Sequence, residues 1–223
     1  MQKNLYLNQK FTKFINNENF EFDRSKILKI LNSDFLEDAY KTISKWQKYQ
    51  PTPLESLNKL SKELELKNIF YKDESKRFGL KSFKALGGAY AVEKITKGRK
   101  DITVSTATAG NHGKSVAWGA KNLGLNCKIF ISENVSETRA EEMRNLNAEV
   151  IRVKGNYEDS LIFCKEESKK NNWEIIQDVA WPDYELVPKL TMAGYSTIIK
   201  EISFQTNEYI TCLLYTSPSP RDS

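Results

Sequence analysis

Apolar and polar positions alternate with two different periods along the middle of the chain. Short runs rich in β-branched residues predict four strands, at residues 102–106, 126–131, 149–153 and 173–177. Runs with apolar residues every three or four positions predict three helices between them, at residues 112–123, 136–146 and 157–171. Strands and helices in this order indicate βαβ units, and hence a parallel sheet with right-handed crossovers.

The pattern on either side of this region is mainly helical. The first 18 residues are polar, which predicts a poorly ordered arm. The remaining segments are helical patterns at residues 23–49 and 57–64, a strand at 68–72, and helices at 82–95 and 186–204. Residues 212–223 change abruptly to a Ser- and Pro-rich composition. We expect this segment to be a non-native tail and the natural sequence to be cut near Thr211.

The composition is that of a globular protein and argues against several classes of function. Of the 223 residues, 39% are hydrophobic and 28% are charged. The net charge of +5 comes from interleaved charges without a basic block, so we expect no nucleic-acid partner. One histidine and three cysteines without a C-x-x-C pair predict no metal site. The sequence shows neither a membrane-length apolar run nor a signal peptide, so we expect no membrane partner and a cytoplasmic location.

Lys84 is the strongest candidate for a nucleophile. It falls in the first turn of the predicted helix that begins at Ser82, a favourable N-cap residue. The unpaired N–H groups and the dipole of a helix start disfavour an ammonium ion, and a neutral amine can attack a carbonyl to make a Schiff base. Gly87 and Gly88 each cost the helix about 1 kcal/mol, which suggests that something bulky lies against its backbone. The alternative is an ordinary solvated lysine.

A second candidate is the loop STATAGNHG at residues 105–113, which joins a strand end to a helix start. In open α/β sheets, ligands bind outside the carboxyl ends of the strands. Gly110 and Gly113 allow a close approach to the backbone, and Asn111 offers a donor and an acceptor beside the helix start. The alternative is an ordinary βα loop. We expect His112 to cap or pack the helix start rather than to act as a base.

Three stretches together resemble one enzyme family. They read KDESKRFGLKSFK at residues 72–84, AGNHG at 109–113 and IIQDVAW at 175–181. This combination resembles the fold type II pyridoxal-phosphate enzymes and, within them, the diaminopropionate ammonia-lyases, over about residues 20–211. The resemblance implies an α/β fold of open, twisted parallel sheets with flanking helices, in which the second half of the large domain is missing. The family's glycine-rich phosphate loop and its partner for the pyridine nitrogen have no counterpart in the sequence.

The resemblance also implies a division into domains. It assigns residues 1–84 to the large pyridoxal-phosphate domain and residues 85–184 to a small α/β domain. Residues 185–211 would be a helix that returns to the large domain, followed by the non-native tail at 212–223.

The resemblance further assigns roles to individual residues. Lys84 would bind pyridoxal 5′-phosphate as a Schiff base, and Asn111 would hydrogen-bond the 3′-oxygen of its ring beside Gly110 and Gly113. Asp178 would contact the amino groups of the substrate and take part in catalysis. The alternative for Asp178 is an N-cap or a surface ion pair.

The implied reaction is α,β-elimination of a small amino acid, 2,3-diaminopropionate, to pyruvate and ammonia by the complete chain, as a homodimer. Ala109 departs from the family, whose ammonia-lyases have there an Asp proposed as the acid/base for the D-enantiomer. We therefore expect a preference for the L-enantiomer. The Ala-Gly-Asn-His motif is shared with threonine and serine dehydratases of the same fold. The alternative function is therefore that of a threonine/serine dehydratase-like lyase. A truncated fragment without activity is a further alternative.

Overall fold

The computed structural model describes residues 23–213. The predicted polar arm lies outside the described residues, and so does the predicted tail apart from Cys212 and Leu213. The helices of the described part are α1 (Arg24–Ile30), α2 (Ser33–Ile43), α3 (Asn58–Glu63), α4 (Lys84–Thr96), α5 (Asn111–Leu123), α6 (Glu137–Arg144), α7 (Tyr157–Asn171) and α8 (Leu186–Gln205). Its strands are β1 (Leu54–Ser56), β2 (Phe70–Lys72), β3 (Thr103–Ala107), β4 (Asn126–Ser132), β5 (Glu149–Val153) and β6 (Glu174–Ile175).

Four strands form one parallel sheet in the order β5-β4-β3-β6, while β1 and β2 form a separate antiparallel pair. Successive side chains of β4 point to opposite faces of the sheet. Ile129 and Ile131 join the main core with residues of α4, α5 and α8, whereas Phe130 packs with Cys164 of α7. Helices therefore cover both faces, which confirms the predicted α/β architecture. Within residues 23–213, no helix is both long and apolar enough to cross a bilayer.

Most predicted elements are confirmed to within two residues, and the exceptions have local causes. The helical pattern at 23–49 is divided because the Asn32 side chain accepts the Phe35 N–H at 2.9 Å and starts α2 anew. The strand predicted at 173–177 is reduced to β6 because the Ala107 N–H of β3 donates to the Gln177 side chain at 3.1 Å instead of continuing the ladder to the Ile176 carbonyl. Ser82 is not the N-cap of α4, although its hydroxyl accepts the Lys84 N–H at 3.2 Å.

Helix α4 lies between α5 and α8, and glycines allow both contacts. A Cβ atom added at Gly88 would lie 1.9 Å from Ser115 Oγ of α5, and one added at Gly87 would lie 2.4 Å from the Tyr195 ring of α8. From the other side, a Cβ atom at Gly194 would lie 2.1 Å from the Leu86 carbonyl oxygen. The bulk against the glycine pair is therefore neighbouring helices. Residues of α2, α4 and α8 share one core with the sheet, and the domain boundaries stay predictions.

A buried ion cluster ties the segment before Lys84 to α8. Arg77 and Glu201 are both about 1% exposed, and the Arg77 guanidinium donates to the two Glu201 oxygens at 2.7 and 2.9 Å. Lys72 Nζ lies 2.7 Å from Glu201, and Glu74 accepts from Arg77 at 2.7 and 2.8 Å. Burial acts to raise the pKa of Glu201, but Arg77, Lys72 and Tyr49 outweigh it and hold that pKa below its usual value.

We predict that Glu201→Gln lowers the free energy of unfolding by about 3–5 kcal/mol, because it leaves buried cations without their carboxylate. Since the folded-state pKa of Glu201 is lowered, its contribution is present above the pKa of an unfolded glutamate. That contribution is lost as the pH falls through the folded-state pKa. Urea unfolding at neutral and acidic pH measures both effects. The variant's stability should therefore depend less on acidification than that of the original chain.

Glu208→Gln is the matched control, because Glu208 forms an exposed ion pair with Lys67 at 2.9 Å. Its removal should cost less than about 1 kcal/mol. Equal losses for the two variants would contradict the role given to the buried cluster.

Candidate active site

The candidate site lies at the carboxyl edge of the sheet, where β3 and β6 end side by side. The two strands pair in parallel, with Val104 opposite Glu174 and Ser105 opposite Ile175. The chain leaves β3 through a short loop into α5, and it leaves β6 toward Asp178. Both segments named in the sequence analysis therefore meet at one edge, which is where open α/β sheets bind ligands.

The buried side chain of Gln177 joins these two strand ends. Its Oε1 accepts from Thr106 Oγ1 at 2.8 Å and from the Ala107 N–H at 3.1 Å. Its Nε2 donates to the Ala107 carbonyl at 3.1 Å and to the Tyr157 hydroxyl at 3.0 Å. These four bonds use both donors and both acceptor positions of the amide. Gln177 thus fixes the backbone immediately before Asp178.

Tyr184 holds the same segment from the other side. Its hydroxyl accepts the Gln177 N–H at 2.8 Å and donates to the Ile175 carbonyl at 2.7 Å. Its ring stacks on Trp181 with centroids 3.8 Å apart, and Lys165 Nζ lies 3.6 Å from the centroid of the Trp181 ring. Burial raises the pKa of Tyr184, so its hydroxyl stays a donor at neutral pH.

Lys84 is the first residue of α4, and its amine reaches into this edge. Its Nζ lies 3.5 Å from Asp178 Oδ2, and a quarter of each side chain is exposed. The same amine lies 5.6 Å from the ring centroid of Phe83 and 5.0 Å from that of Tyr195. The amine is thus reachable from solvent and is flanked by a carboxylate and two aromatic rings.

His112 approaches the same carboxylate from α5. Its Nδ1 lies 3.7 Å from Asp178 Oδ2, and its Nε2 lies 2.8 Å from the Ile176 carbonyl oxygen. Burial acts to raise the pKa of Asp178, but the interactions with His112 and Lys84 outweigh it and hold that pKa below its usual value. Asp178 is therefore an ionised carboxylate between two nitrogen groups.

The remaining predicted residues lie in the loop between β3 and α5. Ala109 and Asn111 are half-buried there, and Gly110 is the N-cap of α5. A Cβ atom at Gly113 would lie 3.1 Å from the Thr108 carbonyl oxygen, so this glycine serves a close approach within the chain itself. The N–H groups at the start of α5 have no side-chain cap. They are placed to bind an anionic or polar ligand group.

Direct contacts join Lys84, Asp178 and His112, whereas the sequence analysis gave His112 only a capping or packing role. Gln177 and Tyr184 were not predicted as site residues, and the signal for them was their position close to Asp178 in one motif. The buried thiols of Cys127 and Cys164 have pKa values raised by burial to about 12 and about 11, so they are not reactive groups. Among residues 23–213, no group of three or more His, Cys, Asp or Glu side chains could hold a metal ion.

Comparison with known proteins gives consistent matches. Residues 45–218 match the family described as "Pyridoxal-phosphate dependent enzyme". The chain is 38% identical over 178 residues to the diaminopropionate ammonia-lyase of Escherichia coli K12, an overlap of 72% of this chain and 45% of that protein. It is 32% identical over 172 residues to the biosynthetic L-threonine dehydratase of Haemophilus influenzae, covering 76% of this chain and 32% of that one.

A solved structure gives the same result for the fold. The apo form of the Escherichia coli diaminopropionate ammonia-lyase superposes with a TM-score of 0.74 at 35% identity, covering 78% of this chain and 52% of that one. The chain therefore spans about half the length of the ammonia-lyases that it matches.

We predict that Tyr184→Phe lowers the free energy of unfolding by about 1–3 kcal/mol, because the Gln177 N–H and the Ile175 carbonyl each lose a partner. The free energy of the opening that exposes the Gln177 N–H should fall by a similar amount, so its amide exchange should be faster. Tyr209→Phe is the control, since Tyr209 is 89% exposed. It should change stability by less than about 0.5 kcal/mol. Unchanged exchange at Gln177 in Tyr184→Phe would rule out this role of the hydroxyl.

Proposed function

The chain belongs to the pyridoxal-phosphate dependent enzyme family, and we propose that the whole protein eliminates ammonia from 2,3-diaminopropionate to give pyruvate. The observation that supports this most is the Lys84 amine 3.5 Å from the Asp178 carboxylate, at the edge where β3 and β6 end. An amine that can bond a carbonyl carbon thus lies beside a carboxylate that can bind a second amine.

The residues present fit pyridoxal 5′-phosphate. Lys84 would bond its aldehyde carbon, and the quarter exposure of that side chain leaves the amine accessible. Asn111 would donate to the ring oxygen, and the uncapped N–H groups of α5 lie beside it. Gly110 carries no side chain that would block approach to this loop, and Gly113 makes room for Thr108 within it.

Bound there, the cofactor would supply an electron sink for the α-carbon of the substrate. Lys84 would have two tasks in this scheme, because its Nζ would hold the cofactor and, as a free amine, would take the α-proton of the substrate. Asp178 holds the second, cationic amine of the substrate through an ion pair. Phe83 and Tyr195 flank the Lys84 amine and reduce its contact with water.

The ionised state of Asp178 favours diaminopropionate over hydroxyl-bearing amino acids. Its lowered pKa keeps the carboxylate charged at neutral pH, and a second ammonium group on the substrate is its natural counter-ion. A hydroxyl group would leave that charge poorly paired in a partly buried place.

Ala109 and the 32% identity to a threonine dehydratase support a second candidate, a serine/threonine dehydratase-like lyase. Pyruvate released from diaminopropionate, compared with the keto acids released from serine and threonine, distinguishes the two.

We also propose that the whole protein works in the cytoplasm as a homodimer. The free, buried thiols of Cys127 and Cys164 suit a reducing compartment. The dimer rests on the family resemblance alone.

We predict that borohydride reduction in the presence of pyridoxal phosphate labels Lys84 in preference to every other lysine, as read by peptide mass spectrometry. Lys84→Met should abolish this label. Lys94→Met should not, although Lys94 lies on the same helix, pairs with Asp38 at 2.6 Å and is similarly exposed. Labelling spread evenly over surface lysines would contradict the proposal and favour a fragment that binds nothing covalently.

We predict that Ala109→Asp in the whole protein raises turnover of D-2,3-diaminopropionate by about 100-fold or more, because a positioned carboxylate can remove the α-proton on that face. Pyruvate release from each pure enantiomer measures the change. Ala109→Asn is the matched control, since its amide has nearly the same size and cannot take the proton. Equal turnover of the D- and L-enantiomers by the protein with Ala109 would contradict the expected preference for the L-enantiomer.

A further inference from the structure

His112 has one ring nitrogen that the proposed reaction leaves without a role. Its Nδ1 is buried, has no hydrogen-bond partner in the described part of the chain, and is aimed at Asp178 Oδ2 across 3.7 Å. The other nitrogen, Nε2, lies 2.8 Å from the Ile176 carbonyl oxygen. Because a carbonyl oxygen can only accept, Nε2 carries a hydrogen in every state of the ring. The protonation of His112 is therefore decided at Nδ1.

The two states of Nδ1 have opposite effects on Asp178. In the neutral ring, a nitrogen lone pair faces a carboxylate oxygen, and two acceptors repel each other. In the protonated ring, an N–H group faces the same oxygen and neutralises its charge. Because His112 is buried, with 4% of its surface exposed, a charge on its ring would need an unpaired carboxylate beside it.

Lys84 determines whether the carboxylate is otherwise unpaired. Its amine and His112 Nδ1 contact the same oxygen, Oδ2, from two helices. Other titratable groups nearby have their own partners, because Tyr184 bonds the backbone and Lys114 of α5 pairs with Glu142 of α6 at 3.3 Å. When Lys84 becomes neutral, His112 is the remaining described cationic group in contact with Asp178.

We propose that His112 is a positioning residue that takes a proton on Nδ1 when Lys84 loses its charge, and so keeps Asp178 a carboxylate aimed at the substrate. The proton that the Lys84 ammonium gives up passes through Asp178 Oδ2 to His112 Nδ1, and the net charge of the three groups is unchanged. This inference rests on the proposed roles of Lys84 and Asp178.

The test is nuclear magnetic resonance of the ring nitrogens, since the chain has one histidine and gives one pair of signals. Lys84→Met imitates the uncharged lysine without the cofactor. The proton affinity of His112 should rise about tenfold or more in this variant and fall by a similar factor in Asp178→Asn. Lys94→Met, which removes an equivalent ion pair from the same helix, should leave it unchanged. A titration of His112 that neither substitution moves would overturn the inference.

Two further variants separate the nitrogens. His112→Gln can keep a donor toward the Ile176 carbonyl but loses the group facing Asp178, so the titration of the Asp178 carboxyl carbon should move to higher pH. His112→Asn keeps a donor on the Asp178 side and should largely restore that titration. A purely structural histidine would show stability losses in both variants with no change at Asp178.

The outcomes also separate this inference from the proposed function. Loss of selective labelling at Lys84 would overturn only the proposed enzymatic function if the proton affinity of His112 still changes in the two variants as expected. Intact labelling with an unresponsive histidine would overturn only the role of His112.

Discussion

The position of Lys84 depends on how closely α4 can approach its two neighbouring helices. Gly87 and Gly88 bring α4 against α8 and α5 at distances that a side chain would not allow. The approach is mutual, since Gly194 of α8 lies over the Leu86 carbonyl. A helix held on both sides has little freedom to rotate or slide. Its first residue, and the amine at the end of that side chain, are therefore placed by the packing of the whole layer.

Two sets of buried polar contacts fix the chain segments on either side of the site. The buried pair of Arg77 and Glu201 fixes the segment that enters α4, and Gln177 with Tyr184 fixes the segment that presents Asp178. In each case a buried polar group bonds backbone or charge on a distant part of the chain, where an unpaired group would be costly. The Lys84 amine and the Asp178 carboxylate are therefore brought together by separate contacts, each of which fixes a rigid element. Catalytic groups require this kind of support.

Local patterns explain how much of this could be predicted. Strands β3, β4 and β5 are β-branched runs between helical periods, so the sheet follows from the sequence, and family resemblance singles out Lys84, Asn111 and Asp178. The periodicity carries no information on which side chains meet at the edge. His112 and Ile176 are 64 positions apart, and their contact decides the role of the ring. Likewise, the sequence places Arg77 in a charged loop and gives no sign of its burial, which depends on Glu201 of α8.

The long connection between Arg77 and Glu201 also has a consequence for synthesis on the ribosome. These residues are 124 positions apart, and N-terminal segments emerge and begin to fold first. The βαβ units from β3 to β5 can assemble from contacts between near neighbours in the chain. The segment before Lys84 gains its buried partner only when α8 has left the exit tunnel. The sheet therefore forms on the nascent chain before the candidate site is ordered. A cofactor that needs the ordered site would bind only late in synthesis.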